Sequence, residues 1–431
     1  MSDPSVMPKV VYSYPGEGTT GPYPELFRFD CQFEFCSYYS QFQVRFNKYM
    51  DLTSVRRAVR LSGPDGNIRA DTNFILSMGG DVFVLSPVDS NGYRYNFRFV
   101  VGGTYSMGID STARDINGNA LVPPFTATFV PEPSFRVMSV SPADGAIDVP
   151  TYFSIYLFFN SKVSGAILPH LSIDPLPAGS WSLAYDSTYA AFNLNRNLTA
   201  ATTFTLNVDG SAEDIQGNRI SAPYVSRFTT VPFRMSSTYP SNGAGGVWPS
   251  TVIQFAFSIP LDTGTVRSSF HISPATAGTL NGIYYGSSNL TFAPEGGFAG
   301  STSYTITFDS TLHDIAGDPL TGGYTLSFTT APFSIFSTTP SNGETGVSRF
   351  NMININTNAP LNLSSEPGSL QITPAVSLAF TGCDGCSSFY FYAPAGLAPN
   401  TAYTVTIGTG LLTKRGEALP APYTFSFTTG P

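Results

Sequence analysis

Four cysteines stand in two close pairs, Cys31 with Cys36 and Cys383 with Cys386, toward opposite ends of a 431-residue chain that has only three histidines. Paired thiols either close a disulfide or bind a soft metal. A tetrahedral zinc site needs four nitrogen or sulfur ligands in one place, yet the pairs are far apart in sequence and no histidine lies close to either. Disulfides are therefore the expected state, each closing within its own pair, with cross-links between molecules as the alternative. Cys31 and Cys36 have opposite parity on extended backbone, so a bond between them requires a turn or bulge near Cys36. Gly382-Cys383-Asp384-Gly385-Cys386 reads as a compact turn that a disulfide would pin.

Catalytic chemistry has little material. His170, His271 and His313 are the only imidazole bases, and no Gly-x-Ser-x-Gly elbow is present to present a nucleophilic serine. Glu213 and Asp214 are adjacent and would point apart on extended backbone, which is poor geometry for a pair of glycosidase carboxylates. No catalytic residue and no enzymatic activity are expected. Recurrent turns remain: Asp115-Ile-Asn-Gly118-Asn119, Asp214-Ile-Gln-Gly217-Asn218 and Asp314-Ile-Ala-Gly317-Asp318, with Thr413-Lys-Arg-Gly416-Glu417 as a weaker form. The Asp can accept hydrogen bonds from amides ahead of it, and the Gly takes positive φ where the chain reverses. Oxygen ligands for calcium are present at Asp115, Asn117 and Asn119, but the following Gly and distant Glu of an EF-hand are missing. Turn stabilisation is the expectation, calcium the alternative, and no other cofactor is implied.

These turns recur because the whole chain repeats. Pro142, Pro240 and Pro340 each open a turn ending in Gly, with Pro15 a looser version, and the successive spacings of 98 and 100 residues suit a small domain rather than a solenoid unit. Alternating apolar runs recur at matching offsets. They are Phe42-Val44-Phe46, Ile155-Leu157-Phe159, Ile253-Phe255-Phe257 and Ile353-Ile355-Thr357 early in each copy, and Tyr105-Met107-Ile109, Phe204-Leu206-Val208, Tyr304-Ile306-Phe308 and Tyr403-Val405-Ile407 late. Period two marks half-buried strands. An apolar anchor (Leu121, Ile220, Leu320, Leu419) and a closing Phe (Phe129, Phe228, Phe328, Phe427) follow each turn. Short strands, Pro/Gly/Asn turns and little helical periodicity predict an all-β fold of four antiparallel sandwiches in tandem, covering residues 8–132, 133–231, 232–331 and 332–431. The aromatic opening each late strand has the place of a tyrosine corner, but Phe204 lacks the hydroxyl. Short Pro-containing junctions followed by Phe135, Phe233 and Phe333 suggest stiff joints and an extended rod, unless those rings belong to the next core.

Composition narrows the partners. Charged residues are 12% and aromatics 14% of the chain, with 40 Gly and 34 Pro. So few charges favour burial of surface against other subunits, or else mark a Ser/Thr/Asn-rich extracellular surface. A net charge of −8 and the absence of any Lys/Arg run beyond pairs argue against nucleic acid. No stretch has the apolar length of a membrane span, and Met1-Ser2-Asp3-Pro4 has none of the regions of a secretion signal. A signal has then been removed or replaced, or export uses another route.

Ser-Pro-x-Asp-Gly near the start, Phe-Asn/Ser after the second strand, Thr-x-Tyr-x-Val/Ile, Asp-x-x-Gly-Asn and a final Phe-Thr-Thr together resemble the SbsA-type bacterial Ig-like domain. Copies two and three match almost throughout, copy four departs at Thr413-Lys414-Arg415, and copy one is interrupted. The resemblance implies a secreted or surface-displayed bacterial protein, since such modules occur in surface-layer proteins, adhesins and as spacers in extracellular enzymes. It is specific for fold and weak for function.

Copy one carries two insertions. The first includes Phe27, Phe29, Cys31, Phe33 and Phe35, read as one face of a single strand, with Tyr38, Tyr39, Tyr49, Tyr93 and Tyr95 nearby in sequence. Phe27, Phe29, Phe33, Phe35, Tyr38 and Tyr39 are the candidate interaction surface; an enlarged, capping core is the alternative. The expected function is non-catalytic assembly or display at a bacterial surface, with copies of itself or other cell-surface proteins as partners. The runner-up is a carbohydrate-binding or spacer region of a secreted hydrolase, in which exposed Tyr residues would stack on sugar rings.

Overall fold

The structure, a computed structural model, describes residues 3–21, 27–32, 35–40, 42–64, 74–87, 99–185 and 187–431; of residues 22–41, 65–78 and 87–98 no side chain is described. The chain divides into two compact units, Met1–Arg196 with Thr203–Thr229, and Asn197–Thr202 with Thr230–Pro431. Among the described residues are eight four-stranded sheets, two per sandwich, and one two-stranded hairpin.

The third sandwich shows the common plan. One sheet runs Met235–Tyr239, Ile253–Phe257, Asn289–Pro294, Gly278–Asn281 in spatial order; the other runs Ala244–Val247, Tyr324–Thr330, Ser303–Phe308, Phe270–Ser273. The chain leaves its first strand, turns at Pro240 and switches sheets, so Ala244–Val247 meets the closing strand running in the same direction. The same parallel pairing recurs in the first and fourth sandwiches. Peptide bonds before Pro15, Pro142, Pro240 and Pro340 are all cis.

Alternation explains the core. Ile253, Phe255 and Phe257 are buried with Tyr304, Ile306, Phe308 and Phe328 between the sheets, while Gln254 is exposed. Burying each such side chain contributes about 1.5–3 kcal/mol. Phe233 and Phe333 lie in the cores of the third and fourth sandwiches and Phe135 in that of the second, so these rings anchor their own domain's first strand.

The first insertion of the first sandwich differs from expectation. Phe27–Gln32 and Phe35–Ser40 are two strands of an antiparallel hairpin, not one strand, and Phe35 stands on the returning strand opposite Gln32. Backbone pairing is satisfied locally by folding the segment back on itself, which one long strand would not achieve. A short helix, Leu52–Ala58, follows, with the Asp51 side chain accepting from the Ser54 amide at 2.7 Å. Tyr93 and Tyr95 lie outside the described residues.

Candidate functional site

The repeated Asp turn is closed by its own donors. Asp115 Oδ1 accepts from the Asn117 and Asn119 amides at 2.9 Å, and Asp214 Oδ1 does the same from Gln216 and Asn218. Their Oδ2 atoms accept from the side-chain amides of Asn119 and Asn218 at 3.0 Å. Gly118, Gly217 and Gly317 take φ of 81 to 91°. Carboxylate oxygens saturated by N–H donors are poorly placed to ligate calcium, so the donor set fits turn stabilisation. Among the described residues no three His, Cys, Asp or Glu side chains gather as a metal site.

The turns differ in charge. In the first sandwich Lys48 Nζ, almost wholly buried, donates to Asp115 Oδ2 at 2.7 Å. Burial pushes the Asp115 carboxyl up, but Lys48, Asn119 and the backbone amides outweigh it and hold it at about 2. In the third, Asp318 replaces the Asn, and Asp314 Oδ2 is buried without a hydrogen-bond partner. Burial, aided by the Asp318 charge, raises Asp314. In the fourth, the Thr413 hydroxyl accepts from the Glu417 amide at 3.1 Å in place of the missing carboxylate.

The histidines form no catalytic relay. His170 Nδ1 meets both Asp209 oxygens at 3.0 to 3.1 Å and Ser211 Oγ at 3.2 Å, so serine and carboxylate share one ring nitrogen instead of occupying opposite ones. His271 Nε2 meets Asp309 Oδ2 at 2.8 Å in the equivalent place of the third sandwich. Asp209 and Asp309 are held at about 2 by Ser211 and Thr311 first, then by the histidines. His313 bonds the Thr311 carbonyl beside its turn.

Cys383 and Cys386 sit at disulfide distance, Cα atoms 5.4 Å apart, in the turn between Ala379–Gly382 and Ser388–Tyr392. Cys31 and Cys36 are directly opposite in the hairpin register, between strands Phe27–Gln32 and Phe35–Ser40. Phe29 pairs with Tyr38 and Arg28 with Tyr39 in that register, while Phe33 lies outside the described residues. The fourth sandwich also buries Glu366, 0% exposed, with neither carboxyl oxygen hydrogen-bonded. Burial, reinforced by Asp384, pushes it up to about 7.

Two features escaped the sequence. The first is an acid latch in the second unit: the Gly300 N–H donates to both carboxylate oxygens of Glu417 at 3.0 to 3.1 Å, joining the third sandwich to the fourth. The Ala200 amide donates to Asp318 at 2.7 Å in the same manner. Both acids are the fifth residue of the repeated turn, and both amides lie four residues before the aromatic that opens a late strand. At the matching place in the fourth sandwich stands Pro399, which has no N–H. Trp248 packs against Phe336 at the same joint, ring centroids 4.6 Å apart and planes tilted by 33°.

The second is a half-buried aromatic cluster, Tyr156, Phe158 and Tyr189, on the outer face of the first sheet of the second sandwich. Centroids are 6.1 Å apart for Tyr156–Phe158, 5.3 Å for Phe158–Tyr189 and 5.9 Å for Tyr156–Tyr189. These residues alternate with the core positions Ile155, Leu157 and Phe159, and comparing the outward positions across the copies was the signal that would have found them.

A serial array of Ig-like sandwiches is the class that this fold defines. The bacterial Ig-like domain family matches residues 132–230, 231–330 and 330–429, and the chain belongs to it. No curated protein sequence matches the chain. Among solved structures it is similar to a Bacteroides ovatus mixed-linkage glucan utilization locus protein, SGBP-B, in complex with a mixed-linkage heptasaccharide (15% identity, 69% of this chain and 70% of that one, TM-score 0.24). It is also similar to the S-layer protein SbsC (11%, 99% and 55%, TM-score 0.21) and to an L,D-transpeptidase from Mycobacterium smegmatis (15%, 45% and 72%, TM-score 0.19). These likenesses are of fold. No helix among the described residues is long and apolar enough to cross a membrane.

Proposed function

We propose that the chain is a non-catalytic, extracellular protein of a bacterial cell surface that builds or displays a surface assembly, such as a surface layer, filament or adhesin stalk, through subunit contacts at its terminal sandwiches. The observation that carries this reading is the serial run of bacterial Ig-like domains over residues 132–429. The latched joint between third and fourth sandwiches supports a structural role, because hydrogen-bonded neighbours resist being pulled or bent apart. Electron microscopy of the purified chain tests it. Ordered polymers are expected; isolated molecules at every concentration would sink self-assembly and leave only display on a stalk. The second reading, a carbohydrate-binding or spacer region of a secreted hydrolase, is favoured by the outward aromatic cluster of the second sandwich.

A further inference from the structure

We infer that the outer face of the first sheet of the second sandwich, centred on Tyr156, Phe158 and Tyr189, binds a neutral polysaccharide chain. The inference gives the glycan of the second reading a place and rests on that reading, not on self-assembly.

The sister copies separate fold from function here. In the third sandwich Gln254, Ala256 and Asn289 occupy the same register positions, and in the fourth Asn354, Asn356 and Ser388 do. Those strands keep the same pairing with no aromatic at these three positions, their outward aromatics standing elsewhere, at Tyr239 in the third sandwich and at Tyr390 and Tyr392 in the fourth. Cross-strand aromatic contacts add stability, about 0.2–1 kcal/mol per pair, but the architecture does not need them. Three rings held at one such place therefore call for another explanation.

The surroundings specify the ligand. The outward positions on the neighbouring strands are Ser139 and Ser141 on one side, then Ala191, Asn193, Ser180 and Ser182 on the other. Asn193 donates to Ser182 Oγ at 2.7 Å, which orders the two polar side chains. None of these residues is charged. An acidic glycan would need cations, and none borders the rings among the described residues. Flat aromatic faces bordered by hydroxyl and amide groups match a sugar chain, whose rings show apolar C–H faces and hydroxyl edges. Tyr156 and Phe158 lie within 30° of parallel, while Tyr189 is turned 40° from Phe158. Successive sugar rings would thus meet two rings at one pitch and a third at another. Mutual packing already restrains the three side chains, which lowers the entropy lost on binding.

The test is affinity electrophoresis of the full chain through gels holding mixed-linkage glucan, mannan or soluble chitin derivatives, with and without 1 M salt. The control variant carries Y156Q, F158A and Y189N, residues that the third sandwich already tolerates at those positions. Retardation by at least one polysaccharide, insensitive to salt and at least tenfold weaker in the variant, is expected. No retardation by any of them, or equal retardation of wild type and variant, would overturn the proposal. Self-association abolished in the variant without any retardation would also overturn it and assign the face to protein contacts. Polymers seen or not seen by microscopy leave this outcome unaffected.

Discussion

At the residue scale, buried charge decides more than the sparse surface ion pairs. Glu366 is shut into the fourth sandwich with both carboxyl oxygens bare, and a Cβ on Gly382 would come within 2.6 Å of one of them. Its folded value of about 7 lies above the ordinary 4.5, because burial and Asp384 both disfavour the anion. A raised acid favours the folded state at low pH. Its contribution is complete below 4.5, declines as pH rises, and is gone above about 7. Urea unfolding of Glu366→Gln should therefore depend less on pH between 5 and 8 than the wild type does; identical slopes would sink the assignment. Asp115 shows the opposite sign, since a group held at about 2 adds stability above its ordinary value of 3.8 and loses it in strong acid. No sequence pattern announced Glu366, because a lone Glu between Ser365 and Pro367 looks like any solvated loop residue.

At the scale of elements, the late strands show how far a repeated sequence can be read. The opening aromatic does act as a corner: Tyr105, Tyr304 and Tyr403 hydroxyls accept from the amides of Val100, Ala299 and Ala398 at 2.8 to 2.9 Å. Phe204, lacking that oxygen, packs against Phe228 with ring centroids 5.4 Å apart. Tyr304→Phe should cost about 1–3 kcal/mol by stranding a half-buried amide, whereas Phe204→Tyr should gain only about 0.5 kcal/mol because Thr199 is already exposed to water. Chemical denaturation of both variants checks the pair, and equal small effects would contradict it. Strands and turns were legible because four copies placed the same chemistry at the same offsets. The hairpin at 27–40 was not, since Phe33-Glu34 offers no Gly, Pro or Asn to mark a reversal, and alternation alone continued through it. The Tyr156 cluster is hidden for a related reason: its rings occupy the alternate positions that a period-two core pattern leaves out.

At the scale of the whole molecule, the joints matter, and they were the least legible feature. Glu417 and Gly300 are 117 residues apart, and neither residue type is unusual in its own loop. Glu417→Ala should remove about 1.5 kcal/mol from the joint, the lower end for a hydrogen bond to a charged group that is partly exposed. Amide exchange at Gly300 should then quicken by about tenfold while the cores of both sandwiches stay protected. Unchanged exchange at Gly300 would show that packing alone, with Trp248 on Phe336, closes the joint.

The proline at position 399 gives the joint a direction. A latch of this kind needs an acid from one sandwich and a free N–H from its neighbour. The third sandwich supplies both, an acid at Asp318 and an amide at Gly300, whereas the fourth supplies an acid and no amide. In a shuffled array the third sandwich would be accepted at either end and the fourth at one end only. A single substitution, Pro399→Gly, would give the fourth sandwich the missing half of the connector, so domain order in such proteins is open to rewriting residue by residue.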